Sequence, residues 1–176
     1  MEAKLALVDR LLKLERRACR VYQNWAANKA LSADLRSFCR DMAEEEKQHL
    51  VILERSAGLL NFVAAAPQTA TPQMEKIEAI ISTAERASEK TEITADEALG
   101  HALAMESSEL NQLEDAWLGG FRPDFATLTQ SVMPAHEEHI RHLSNAIGRF
   151  TANENLHREA AALLSEYERQ KETHAV

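Results

Sequence analysis

Ala43-Glu44-Glu45-Glu46-Lys47-Gln48-His49-Leu50 is a charged run inside a segment whose apolar residues otherwise recur at helical spacing. On a helix, positions three apart lie one above the other, so Glu46 and His49 are neighbours on one face. That face also carries Leu35, Phe38, Met42 and Leu53, and it points toward a core. A buried carboxylate without a compensating partner costs several kcal/mol, so this placement calls for a cation, a salt bridge or a metal.

Working outward, the composition supports helices throughout. The chain has 176 residues, enough for one domain with a substantial core. Only five Gly and four Pro interrupt it, and Ala, Leu, Glu, Lys, Arg and Gln dominate. The net charge of -8 and a pI near 5.4 argue against non-specific nucleic-acid binding. No uncharged apolar run of about 18 residues occurs, so no membrane span is expected. Met1-Glu2-Ala3-Lys4 lacks the basic-then-apolar start of a secretory signal. Cys19 and Cys39 cannot build a disulfide framework, which fits a reducing, cytoplasmic setting. With no Cys-x-x-Cys pair they also exclude a four-thiolate iron or zinc module.

The spacing predicts a first helix over about 4 to 29, with Leu5, Val8, Leu11, Leu12, Ala18, Cys19, Tyr22 and Ala26 on its stripe. Glu15 interrupts that stripe. Ser32 is the expected N-cap of a second helix that Gly58 closes, and the short connection makes the two helices antiparallel neighbours. Residues 59–93 read as a crossover containing a modest helix that opens at Thr71-Pro72. Thr94 with Glu97 has the form of a capping box and starts the third long helix. Its inward stripe of Leu99, Leu103, Leu110, Leu113 and Trp117 admits Glu106 and Glu109. Asp124 is the expected cap of a fourth helix, which Pro134 kinks or restarts and Gly148 ends. Its inward positions include Leu128, Val132, His139, His142 and Leu143. Residues 1–150 thus read as a bundle. Residues 151–176 read as a terminal helix whose apolar side, Leu156, Ala160, Leu163, Leu164 and Tyr167, packs on the bundle or on another subunit.

The second half repeats the first. Glu44-Glu45-Glu46-Lys47-Gln48-His49-Leu50 aligns with Glu137-Glu138-His139-Ile140-Arg141-His142-Leu143, matching two Glu, one His and one Leu. Glu15 precedes Glu46 by 31 residues and Glu106 precedes His139 by 33. Each hairpin therefore brings a helix-borne Glu opposite a paired motif. A second register, with His136 and His139 as the pair, is the alternative. Glu-x-x-His projecting inward from a helix is the recurring ligand unit of dinuclear carboxylate bundles.

This arrangement resembles the rubrerythrin-like branch of the ferritin-like di-iron proteins over roughly residues 5 to 147. The residues that carry the resemblance are Glu15 with Tyr22 seven later, Glu46-x-x-His49, Glu106-x-x-Glu109 and the paired motif His139-x-x-His142. It implies an all-α fold: a ferritin-like four-helix bundle with a long crossover containing a short helix, plus the extra C-terminal helix. It implies two metal ions, iron first, bridged by Glu46 and Glu106. Glu15 and His49 complete one position, Glu109 and His142 the other, and Tyr22 bonds a ligand carboxylate. The implied activity is reduction of hydrogen peroxide or oxygen, with electrons from an external donor protein because no rubredoxin-like iron domain is present, in a homodimer or larger homo-oligomer. One departure stands out. The family pattern places Glu at position 139 and this chain has His, which exchanges an anionic ligand for a neutral one and moves the metal preference toward zinc or a mixed site.

The remaining polar residues have plainer readings. Glu44, Glu45, Glu137 and Glu138 are expected on solvated faces. His139 could instead be a core histidine bonded to Glu106 or Glu109. His101 sits about 140° around an ideal helix from Glu106 and is expected to be exposed. Cys19, Cys39, Trp25 and Trp117 read as packing residues. A non-catalytic metal-binding, storage or delivery protein, including a zinc-occupied one, is the rival to the peroxidase.

Overall fold

The computed structural model describes the backbone of residues 2–60, 70–118 and 123–174, and side-chain surroundings within 9–10, 12–52, 54, 74–108 and 137–169. The described chain is all-helical: α1 (Glu2–Ala27), α2 (Ala33–Leu60), α3 (Ala70–Ser88), α4 (Ala95–Leu118), α5 (Pro123–Phe150) and α6 (Glu154–His174). None of these helices is long and apolar enough to cross a membrane.

Local chemistry sets the helix starts. Ser32 Oγ accepts from the Leu35 N–H at 3.2 Å, capping α2 as its sequence position predicts. Thr94 and Glu97 form the reciprocal box that opens α4: the Thr94 N–H donates to Glu97 Oε2 at 2.9 Å and the Glu97 N–H to Thr94 Oγ1 at 3.2 Å. Asn153 Oδ1 accepts from the N–H groups of Asn155 and Leu156 and caps α6. Between α1 and α2, the Asn28 side chain accepts from the Ala30 N–H at 2.9 Å and tightens the turn.

Several helix ends differ from expectation. α2 runs through Gly58 to Leu60, because glycine permits a left-handed cap but does not impose one. α3 begins at Ala70, so Thr71 and Pro72 lie within its first turn. α5 begins at Pro123, one residue ahead of the expected Asp124 cap, which suits proline's fixed φ. It passes through Pro134 without interruption and continues beyond Gly148 to Phe150. Proline removes one backbone hydrogen bond, yet its φ is itself helical.

Packed neighbours form a closed cycle: α1 against α2, α2 against α5, α5 against α4, α4 against α3, and α3 against α1. α3 is 19 residues long and packs on both α1 and α4. It is the helix expected within the crossover, and it forms part of the wall. Its face explains this: Met74, Ile77, Ile81, Ala84 and Ala87 are buried at helical spacing. On the outer side Arg17 joins α1 to Glu85 of α3, and Arg10 reaches Glu78. α6 seats on α4 and α5 through Leu156, Ala160, Leu163 and Tyr167, all buried. At the α5–α6 turn the Thr151 hydroxyl donates to Asp96 at the start of α4, and the Asn153 N–H donates to Thr151 Oγ1 at 2.9 Å. Burying each large side chain of the core, among them Trp25, Leu35, Met42, Leu99, Ile140 and Leu143, contributes about 1.5–3 kcal/mol.

Candidate metal centre

Four helices send polar groups into this apolar interior. Glu46, Glu106 and His139 are fully buried and His49 is 4% exposed. α1 supplies Glu15 and Tyr22, α2 supplies Glu46 and His49, α4 supplies Glu106, and α5 supplies His139. Each sits on a stripe of core residues. Met42 lies four positions before Glu46, Leu143 four after His139, and Ala102 four before Glu106, all buried.

Ligating atoms of Glu46, His49 and His139 lie within 4.8 Å of one another. His49 Nδ1 is 3.4 Å from Glu46 Oε2 and 3.9 Å from Glu15 Oε2, while His139 Nε2 is 3.6 Å from Glu46 Oε1. The two imidazole rings stand 5.2 Å apart at 32°. Donors about 2.0–2.2 Å from a shared ion lie at most about 4.4 Å apart, so these three approach a common ion with small adjustments. Glu15 Oε2 is buried and accepts no hydrogen bond. A mixed carboxylate and imidazole set of this kind suits iron or zinc, and the residues fit a metal on that chemistry.

Glu106 holds the opposite side. The Tyr22 hydroxyl donates to Glu106 Oε1 at 2.8 Å, and His139 Nε2 lies 2.9 Å from the same oxygen. Tyr22 is itself wedged by Trp25, edge-on at 5.6 Å. The expected bond from Tyr22 to a site carboxylate is therefore present, and so is the His139–Glu106 contact expected of a core histidine.

Electrostatics follow from crowding carboxylates in a dry interior. Burial raises the Glu15 carboxyl to about 7, and Glu106 pushes it the same way, partly offset by the Glu46 hydrogen bond and by His139. For His139 burial acts downward, yet Glu106, Glu45 and Glu15 outweigh it and raise its pKa.

Glu45, Glu137 and His101 are less exposed than expected. His142 is 38% exposed on its side chain, and its Nδ1 lies 2.9 Å from Glu45 Oε1. The Phe38 ring meets it edge-on at 5.5 Å. Glu45, expected on a solvated face, is only 23% exposed, and its Oε2 lies 3.2 Å from His139 Nδ1. Glu44 and Glu138 are exposed as expected, whereas Glu137 is half-buried and pairs with Arg141. A signal for Glu45 exists in the sequence: it lies seven residues after buried Phe38, so both face α5. Glu109, His136 and Trp117 lie outside the described side chains. His101 is half-buried, and burial holds its pKa below the ordinary value. The helix angle separated it from Glu106 but did not anticipate its partial burial. Cys19 and Cys39 are buried free thiols, and burial pushes Cys39 up to about 12. Comparison of the chain with protein-family models, with curated proteins and with solved structures finds no match, so the geometry of the site alone carries its functional reading.

Proposed function

We propose that this chain is a rubrerythrin-like, ferritin-like bundle whose interior binds a dinuclear metal centre, iron first, and that it reduces hydrogen peroxide or oxygen. The observation that carries the reading is the burial of Glu46, His49 and His139 with ligating atoms within 4.8 Å of one another. Such donors are costly to bury unless they are paired or hold a cation.

Glu15, Glu46, His49, Glu106 and His139 are the residues that would hold the metals, with Glu109 and His142 completing the set the resemblance implies. Ferrous iron, if held there, would supply the electrons needed to cleave an O–O bond, and an external donor protein would restore them. Tyr22 keeps Glu106 oriented by donating its hydroxyl proton to Oε1. The apolar wall of Met42, Met105 and Leu143 excludes bulk water. The protein would work in a reducing cytoplasm as a homo-oligomer.

A second reading rests on His139. Two imidazoles and one carboxylate also form a zinc donor set, which makes the chain a non-catalytic metal-binding, storage or delivery protein. Metal analysis of protein grown with iron, followed by ferrous loading and mixing with peroxide, separates the two. Rapid oxidation with near-stoichiometric peroxide loss is the expected result. Tightly held zinc with no turnover overturns it in favour of the second reading.

A further inference from the structure

Glu45 precedes a site residue, sits on the edge of the buried face and faces two imidazoles at once. Its Oε1 lies 2.9 Å from His142 Nδ1 and its Oε2 lies 3.2 Å from His139 Nδ1. The carboxylate is mostly buried, and Oε2, although 3.2 Å from His139 Nδ1, accepts no hydrogen bond. Glu45 does not belong to the group whose ligating atoms converge within 4.8 Å among the described residues. It faces the other edge of the His139 ring, since Nε2 is the atom directed at Glu46 and Glu106.

An imidazole ligates through one nitrogen, and what the other nitrogen faces decides which tautomer is available and how the ring is turned. Without an ion the Nε2–H donates to Glu106 Oε1; were an ion to take the place of that proton, a carboxylate opposite Nδ1 would keep the other proton there and leave the Nε2 lone pair for the ion. We infer that Glu45 is a positioning residue for the metal centre: it holds His139 with Nδ1 protonated and Nε2 presented to the donor set, and it ties this buried ring to half-exposed His142. The inference rests on the metal-binding reading above. It also bears on the departure at position 139, because a neutral ligand there gains back an adjacent negative charge from α2.

The anchoring is built from both repeats. Glu45 comes from the first motif, His139 and His142 from the second, and Phe38 packs edge-on against His142 from the same side of α2 as Glu45. The aligned position in the second motif, Glu138, is exposed. The repeat is therefore asymmetric here, with one anchoring carboxylate and not two.

The test is zinc titration of the full chain against a competing chelator, for the wild type, Glu45→Ala, Glu45→Gln, Glu44→Ala and Glu46→Ala. Zinc binding by the wild type and its loss in Glu46→Ala support the metal reading. Glu45→Ala is then expected to weaken zinc by about 10–100-fold, with Glu44→Ala unchanged and Glu45→Gln closer to wild type, since its amide oxygen still faces Nδ1. A further readout is the nitrogen NMR spectrum of the zinc-loaded chain with labelled histidine. His139 is expected to be protonated at Nδ1 in the wild type and to lose that uniform state in Glu45→Ala. Wild-type affinity and an unchanged His139 spectrum in Glu45→Ala, with Glu46→Ala unable to bind, overturn the inference while leaving the metal reading standing. Absence of zinc binding by the wild type overturns both.

Discussion

Tyr22 on α1 and Glu106 on α4, 84 residues apart in the chain, are joined by a 2.8 Å hydrogen bond between two side chains that are both fully buried. The same carboxylate oxygen lies 2.9 Å from His139 Nε2. The two helices are not among the principal packed pairs, because α3 packs on both. This polar bond across the interior therefore ties together two helices that are not a principal packed pair. Removing the hydroxyl leaves a buried carboxylate with one donor fewer, so Tyr22→Phe is expected to destabilise the fold by about 1–2 kcal/mol. Urea unfolding measures it, and a change within error would deny the bond its structural role.

Glu46 and Glu44 are two residues apart on α2 yet sit in opposite surroundings. Glu46 is fully buried among histidines, whereas Glu44 is exposed and pairs with Lys47. Glu46→Ala is expected to abolish metal binding and Glu44→Ala to leave it intact. Metal content of the two purified variants decides this, and equal values refute the assignment of faces. A ligand present at about a hundred times its Kd stabilises the folded state by about 2.7 kcal/mol. Chelation should therefore lower the thermal midpoint of the wild type and leave that of Glu46→Ala in place.

Acid should loosen the α1–α3 seam first. Arg17 donates from Nε at 3.0 Å and Nη2 at 2.7 Å to the two oxygens of Glu85. The Arg17 hydrogen bonds hold the Glu85 carboxyl below its ordinary value of 4.5. A carboxyl with a depressed pKa binds fewer protons folded than unfolded. Its contribution is present above pH 4.5 and disappears as pH falls through the lower, folded value. Glu85→Gln should cost up to about 1 kcal/mol near pH 7 and less near pH 3. Urea midpoints of wild type and variant at the two pH values provide the comparison, and a gap independent of pH contradicts the account.

Gly100 lies inside α4, facing α6. A Cβ there would meet Leu156 Cδ2 at 3.6 Å, an ordinary contact. Alanine loses less conformational freedom on folding than glycine, so Gly100→Ala is expected to stabilise the protein by about 0.5–1 kcal/mol. Destabilisation in a thermal melt would mean that the α4–α6 interface is tighter than this spacing implies.

Loss of the capping box should have a local cost. Thr94→Ala removes the acceptor for the Glu97 N–H and is expected to cost about 1 kcal/mol. Hydrogen exchange should quicken in the first turn of α4 ahead of the rest of that helix, and uniform quickening would count against a local effect.

The motif residues that face the interior were legible because periodicity alone places them. Glu46 and His49 share a stripe with Leu35, Phe38 and Met42, and the structure buries all five. Tyr22, Glu106 and His139 follow by the same reasoning. Glu45 was only partly legible in that way, since its seven-residue spacing from Phe38 puts both on one side of α2 without showing what that side meets. Three consecutive glutamates fan out at about 100° steps, so Glu44 lies about 160° from the buried Glu46, on the far side of the helix, and Glu45 about 100° away, on its flank. Whether that flank faces solvent depends on where the neighbouring helix stands. α5 stands on the Glu45 side, and Phe38 and Glu45 both turn toward its His142.

By itself the sequence determined an all-helical chain, the caps at Ser32 and Thr94, and the inward stripes that carry Glu15, Glu46, His49, Glu106 and His139. These follow from interactions within a few residues, whose geometry one helix repeats along its length. Only the tertiary structure decided that α3 joins the wall between α1 and α4, that His142 turns to Glu45, and that Glu106 takes both Tyr22 and His139 on one oxygen. Those relations depend on which helix faces which, and on the depth at which residues 84 or 97 positions apart meet. The long-range packing of α3 and α5 sets that depth, which periodicity along a single helix does not encode.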